Sequence, residues 1–191
     1  MTIFAPAPSL AESLTQQTFS RRDLIPLKTD VLWRIERGVV RTNTWSEAGA
    51  LTSLGYWGSG DVVGHLLSQL NPYQIECITS VKVSIIPAHL WHQVLNAIIL
   101  HAQQTEELLN IVHIAPVQLR LKLFLLWLTQ KFGREVEQGN LIDFPLTHQE
   151  IAEVIGTTRV TVTRLMNQFE QEGTIKRQKH HITVSYGQLQ A

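Results

Sequence analysis

Thr158, Arg159, Val160, Thr161, Thr163 and Arg164 form a string of side chains suited to a nucleic-acid groove. Arg159 can donate two N–H bonds to O6 and N7 of a guanine. Val160 and the threonine methyls can touch thymine methyl groups. Arg164, further along the same predicted helix, reaches a base or a phosphate. Downstream, Lys176, Arg177 and Lys179 add positive charge on a predicted hairpin, together with His180 and His181. From Gly156 to His181 there are five Lys or Arg against two Asp or Glu, a net of +3.

These groups act together only if one helix holds them, and the flanking residues predict that helix. Thr147-His148-Gln149-Glu150 fits the Thr-x-x-Glu capping box, in which each partner satisfies an orphan N–H of the other. It starts a helix over about 148–154 with Ile151 and Ile155 as apolar contacts. Ala152 is small where a second helix crosses, and Gly156 admits a tight turn. Val162 supplies a core contact on the next helix, expected over about 158–172 and closed by Gly173. Ala, then Gly, then Val at these spacings is the steric skeleton of a helix-turn-helix. The hairpin from Thr174 to Val184 reads as its wing. Thr147, His148, Thr158, Lys176, Arg177 and Lys179 are then the groups facing the phosphate backbone.

Composition restricts the alternatives. The chain has 191 residues, 44% of them hydrophobic and 17% charged, enough to bury a core. Sixteen Lys or Arg balance sixteen Asp or Glu, so only the local +3 region favours phosphate. One cysteine, Cys77, excludes an intramolecular disulfide and a four-cysteine metal site. No apolar run approaches membrane-spanning length, and the N-terminus lacks a secretory pattern, so a cytoplasmic protein without a membrane partner is expected. The histidines form no metal-binding constellation, so no metal site is predicted.

Before the helix-turn-helix, periodicity changes twice. Residues 1–20 read as a flexible lead-in. Over 21–92, β-branched runs alternate with turns, as expected for an antiparallel jelly roll. Residues 93–115 hold neither Gly nor Pro, and Ile98, Ala102, Thr105, Leu109 and Val112 step by 4, 3, 4 and 3. That seam predicts a dimerisation helix. Pro116 then marks a hinge, and residues 116–191 form the winged helix-turn-helix domain, beginning with a helix buried through Leu121, Phe124, Leu125 and Leu128. A loop through Gly139-Asn140 is expected to follow Gly133. The fold class is α+β: N-terminal jelly-roll sensor, long dimerisation helix, C-terminal winged helix-turn-helix.

The stretch LTHQEIAEVIGTTRVTVTRLMNQFE resembles the cyclic-AMP receptor protein/FNR family of transcription regulators. The string from Thr158 to Arg164 is most similar to the cyanobacterial nitrogen-control branch. Leu32 to Arg41 and Gly60-Asp61-Val62-Val63-Gly64 resemble the family's sensor-domain turns. The resemblance implies a homodimer on two-fold double-stranded DNA, contact with RNA polymerase, and Arg159, Val160 and Arg164 as base readers. It implies half-sites GTA and inverted TAC, separated by about eight base pairs.

The resemblance also implies an effector pocket near Gly64, His65, Leu66, Ile75, Cys77, His101, Thr105 and Glu106. This chain departs from the family there. Residues 73–77 lack the arginine that holds a cyclic phosphate, and His101 stands where the nitrogen-control branch has an arginine. An altered effector, or none, is expected in place of cyclic AMP or 2-oxoglutarate, and no cofactor is required. The rival readings are a winged-helix effector-binding or protein-interaction module without DNA binding, and a cupin-type metalloenzyme. The second lacks its ligand set, so the expectation is not an enzyme.

Overall fold

A computed structural model describes residues 14–47, 49–179 and 181–185. Most of the expected lead-in, His180 of the wing and residues 186–191 lie outside the described residues. Eight strands build the N-terminal half: β1 (Gln16–Phe19), β2 (Leu24–Ile25), β3 (Val31–Arg37), β4 (Val40–Trp45), β5 (Leu51–Trp57), β6 (Val62–Val63), β7 (Gln74–Cys77) and β8 (Val81–Pro87). They pair into two antiparallel sheets, ordered β1-β8-β3-β6 and β2-β7-β4-β5. Trp33 and Ile35 from one sheet and Val40, Trp57, Ile75 and Cys77 from the other share one buried cluster. Alternation along the strands puts these side chains inward and gives the jelly-roll sandwich.

The expected flexible lead-in is ordered at its end. Residues 16–19 form β1, which pairs with β8 from Gln16↔Ser84 to Phe19↔Val81. Its residues are mostly exposed, so backbone pairing to a sheet edge holds it where side-chain pattern gives no signal.

A short 3-10 segment, Ala88–Val94, leads into α1 (Leu95–Val112). Then come α2 (Val117–Phe132), β9 (Gly133–Val136), β10 (Gly139–Ile142), α3 (His148–Ile155), α4 (Arg159–Gln171), β11 (Ile175–Gln178) and β12 (His181–Ser185). Pro116 caps α2, as its missing N–H favours, and Leu121, Phe124, Leu125 and Leu128 are fully buried. Residues 133–136 form a strand on β10 rather than the expected loop. The third sheet is therefore β11-β12-β10-β9. Among the described residues no helix is long and apolar enough to cross a membrane.

The two halves share a core. Val39, Tyr56 and Ile78 of the sandwich join the cluster built by α1, α2, α3, α4 and the wing. A buried arginine and a partly buried lysine cross the boundary in opposite directions. Arg41 on β4 pairs with Glu76 of β7 at 2.8 Å and with Glu153 of α3 at 2.9 Å. Lys131 on α2 reaches into the turn before β6, pairing with Asp61 at 2.9 Å and donating to the Tyr56 carbonyl at 2.9 Å. Lys131 also bonds Gln104 of α1 and lies 4.7 Å from the Trp57 ring centre. Burial lowers the Lys131 pKa, and Asp61 opposes that shift.

His101 of α1 stacks on Trp57, with ring centres 3.8 Å apart, and its Nδ1 lies 3.0 Å from the Val62 carbonyl. Burial, aided by the Lys131 charge, pulls the His101 pKa down to about 4. The unfolded chain takes up this proton near 6.5, before the folded protein does. Stability should therefore fall as pH drops through the window from 6.5 to about 4, where the unfolded state binds more protons. Urea midpoints measured across this window should show that slope, and His101→Gln should reduce it. Arg41→Ala leaves two carboxylates facing a vacated site, so urea unfolding should show a loss of roughly 3 kcal/mol.

Candidate nucleic-acid interface

The capping box forms as its residue types require. The Thr147 hydroxyl accepts from the Glu150 N–H at 3.2 Å, and Glu150 Oε2 accepts from the Thr147 N–H at 2.7 Å. Ile151, Ala152 and Ile155 of α3 pack against Val162, Leu165 and Met166 of α4 in the shared core. Gly156 ends α3 at φ 63°, a left-handed conformation. A Cβ there meets nothing closer than Arg120 at 3.6 Å, so backbone angle rather than space demands glycine. Thr158 then caps α4, accepting from the Thr161 N–H at 3.1 Å.

Arg120 of α2 is a positioning group whose role here sequence reasoning missed. Its guanidinium donates to the Ile155 carbonyl at the end of α3 and, at 2.9 Å, to the Ile114 carbonyl beside the hinge. It thereby joins the helix-turn-helix to the end of the α1 segment. No local motif marks such a role; only a basic residue just after the hinge proline hints at it.

The outward face of α4 carries Arg159, Val160 and Arg164. Val160 is 78% exposed, a large value for an apolar side chain in an ordered helix. Neither arginine has a side-chain hydrogen bond or ion pair among the described residues. The threonines differ. Thr161 and Thr158 hydroxyls bond each other at 2.9 Å. Thr163 donates to the Arg159 carbonyl at 2.9 Å and accepts from His148 Nδ1 at 2.8 Å. Their hydroxyls are engaged within the motif, which leaves their methyl groups for contact.

Arg177 also differs from its expected role as a backbone contact. Its side chain bonds Glu170 through Nε at 3.0 Å, Asn167 at 2.7 Å and His148 Nε2 at 3.3 Å. It is a strut tying the wing to α4, since a guanidinium fork matches a carboxylate. The bonds to Arg177 hold the Glu170 carboxyl below its usual range. Burial, then the charges of Arg177 and Arg159, lowers the His148 pKa and keeps its ring an acceptor for Arg177. Lys176 bonds Gln138 at 2.9 Å, and exposed Lys179 sits at the wing tip with φ 56°. Thr147, His148, Arg159, Arg177 and Lys179 line one concave surface beside α4.

The expected effector residues do not converge. His101 and Thr105 line a cavity between the sandwich and α1. Ile75 and Cys77 point into the sandwich core, because β7 alternates and places both inward, and burial raises the Cys77 pKa to about 12. Leu66 and Glu106 are exposed, and Gly64 and His65 lie outside the cavity lining. The expected α1 seam also divides. Ile98 and Val112 pack against the chain's own cores, whereas Ala102, Thr105 and Leu109 are exposed. Leu95, Ile99 and Leu109 are 55%, 47% and 53% exposed, so the outward apolar stripe is displaced from the expected one. Among the described residues no group of three metal-binding side chains gathers.

A recognition helix held by a cap, a left-handed glycine and a wing defines a winged helix-turn-helix. The family pattern described as a Crp-like helix-turn-helix domain matches residues 119–189. Regulatory protein CysR of Synechococcus elongatus is 38% identical over 190 residues, spanning 97% of this chain and 91% of that protein. The global nitrogen regulator of a Nostoc species is 43% identical over 81 residues, only 42% of this chain and 36% of that protein. A CRP-family transcriptional regulator from Thermus thermophilus shares the fold, with TM-score 0.76 and 21% identity over 88% of this chain and 91% of its own. The chain belongs to the cyclic-AMP receptor protein/FNR family of transcription regulators.

Gly156→Ala should cost roughly 1 kcal/mol in thermal or urea unfolding, because an L side chain resists the left-handed angle. A loss indistinguishable from zero would show that the turn relaxes freely.

Proposed function

We propose that this regulator binds a two-fold double-stranded DNA site as a homodimer, with half-sites GTA and inverted TAC. The observation that carries the reading is the α4 face: two arginines without side-chain partners among the described residues flank an apolar Val160 exposed to water. Arg159 pairs with guanine, Val160 meets the thymine methyl, and Arg164 reads the third position or its phosphate. Thr161 and Thr163 add methyl contacts. The helix-cap residues Thr147 and Thr158 and the wing residues Lys176 and Lys179 touch phosphates, while Arg177 and His148, bonded to each other, hold the wing in place. Where cyclic-AMP receptors carry an acidic residue that accepts from cytosine, Val160 offers no acceptor, which supports the GTA reading.

The exposed stripe of Leu95, Ile99, Ala102 and Leu109 on α1 supports dimerisation, since water-facing leucines and isoleucine at helical spacing gain by mutual burial. Two such protomers set recognition helices about 34 Å apart, in successive major grooves. RNA polymerase is the further partner implied by family resemblance. No cofactor is needed for DNA contact, and any control by a small molecule acts through the sensor half.

A gel shift against a GTA/TAC duplex tests the reading. Arg159→Ala should weaken specific binding by roughly 10- to 100-fold with little effect on non-specific binding. Leu109→Glu should convert the dimer to monomer in sedimentation and abolish the shift. Equal binding by Arg159→Ala would overturn the assignment of the base-reading face.

A further inference from the structure

His148 opens α3, where the sequence alone sets it against a phosphate. Its ring is instead used inside the protein on both edges. Nδ1 lies 2.8 Å from the Thr163 hydroxyl of α4, and Nε2 lies 3.3 Å from a guanidinium nitrogen of Arg177 on β11. Two partners independently fix where the ring's proton sits. Thr163 donates its own hydroxyl proton to the Arg159 carbonyl at 2.9 Å, so toward His148 it only accepts, and Nδ1 donates. A guanidinium only donates, so Nε2 accepts. The neutral ring protonated on Nδ1 satisfies both partners, and no other form of the ring does. The start of α3, the recognition helix and the wing thus meet at one side chain. Through Thr163 the chain of bonds ends on the backbone of Arg159, the residue proposed to read guanine.

We infer that neutral His148 is a positioning residue tying the start of α3 to the recognition helix and the wing, and that a proton on its Nε2 breaks this tie and weakens DNA binding. This role rests on the DNA-binding reading above and adds a response to acid. An imidazolium would aim an N–H at the Arg177 guanidinium, with no lone pair between them. The surroundings resist the added charge. Arg177 and Lys179 from the wing and Arg159 from α4 line the same concave surface. Glu170 is the one carboxylate lining it among the described residues, and Arg177 already holds it through Nε at 3.0 Å and its backbone N–H at 3.2 Å. Glu150, on α3 itself, is committed to the Thr147 N–H at 2.7 Å. The ring also sits in the first turn of α3, at the positive end of the helix dipole. Burial, then the charges of Arg177 and Arg159, accordingly lower the His148 pKa. A protonated ring leaves its place, while Arg177 stays on Glu170 and Asn167, so the wing remains on α4 and α3 loses its register to both. Binding that needs the neutral ring excludes a proton, so affinity falls as pH drops through the folded pKa. A histidine facing a phosphate has the opposite sign, because it gains a proton on binding.

Two readouts on the full chain test the proposal. Long-range proton–nitrogen spectra of the imidazoles, taken without DNA, should show neutral His148 protonated on Nδ1. Fluorescence anisotropy then follows binding to a GTA/TAC duplex and to a scrambled duplex at constant salt, from about pH 7.5 to about pH 5. The reference is His148→Gln, whose amide oxygen accepts from Arg177 and whose side chain does not titrate. Dividing the affinity of the unaltered protein by that of the variant cancels the other histidines, and this ratio should fall roughly threefold or more across the range. His148→Asn, which keeps the bond to Thr163, serves as reference should the glutamine variant fail to fold. The half-site reading is judged separately, by whether the two duplexes differ, and the ratio is read on either one. A neutral ring protonated on Nε2, or a ratio that stays level or rises with acid as a phosphate contact requires, would overturn the proposal.

Discussion

Arg41 is the constraint around which the molecule is arranged. It is 6% exposed, and a guanidinium so far from water is stable only with carboxylates in reach. It has two, and they belong to different halves: Glu76 of the sandwich and Glu153 of the helix-turn-helix. Separating the halves would strip one partner from a charge that cannot leave the sandwich. Lys131 repeats the device in the other direction, from α2 into the turn at Asp61. Between these cations lies a continuous apolar core reaching from Tyr56 to the wing. Helix α3 is therefore held by the sandwich, and α4 follows α3 through Gly156 and Arg120.

This rigidity gives a short face its meaning. The whole chain is electrically neutral, with sixteen charges of each sign, so long-range attraction to phosphate is weak. The +3 region around α4 and the wing acts locally. Part of it is spent inside the protein, because Arg177 binds Glu170 instead of projecting outward. Arg159 and Arg164 retain their charge for a partner. Affinity must then come from correct placement of few groups, which a fixed α3–α4 orientation supplies and the proposed dimer would double.

The features visible in sequence were those decided within a few residues. The Thr147 cap, the Gly156 turn and the buried positions of Val162 and Leu165 depend on neighbours within two adjacent helices, and local chemistry specifies them. Strand β1 is hidden in the sequence because its partner β8 lies far along the chain and all its residues but Phe19 face water. The Arg41–Glu153 bond joins positions 112 apart, beyond any local pattern. The expected α1 seam departs in part, at Ile98 and Val112, for a related reason. A helix with apolar residues on several sides has a period, but only the packed sandwich decides which side, Ile98 or Ile99, is covered. Arg177 carried a plausible outward charge, and only the folded wing brings it beside Glu170.

The cavity beside Trp57 and His101 is bordered by Val154, so the sandwich and α3 share its walls. The base-reading face remains the central claim, and selection from a pool of randomised duplexes tests it most directly. Enrichment of a two-fold GTA and TAC site with about eight base pairs between the halves is the predicted result. Recovery of a TGTGA-type half-site, or of no two-fold sequence, would contradict it.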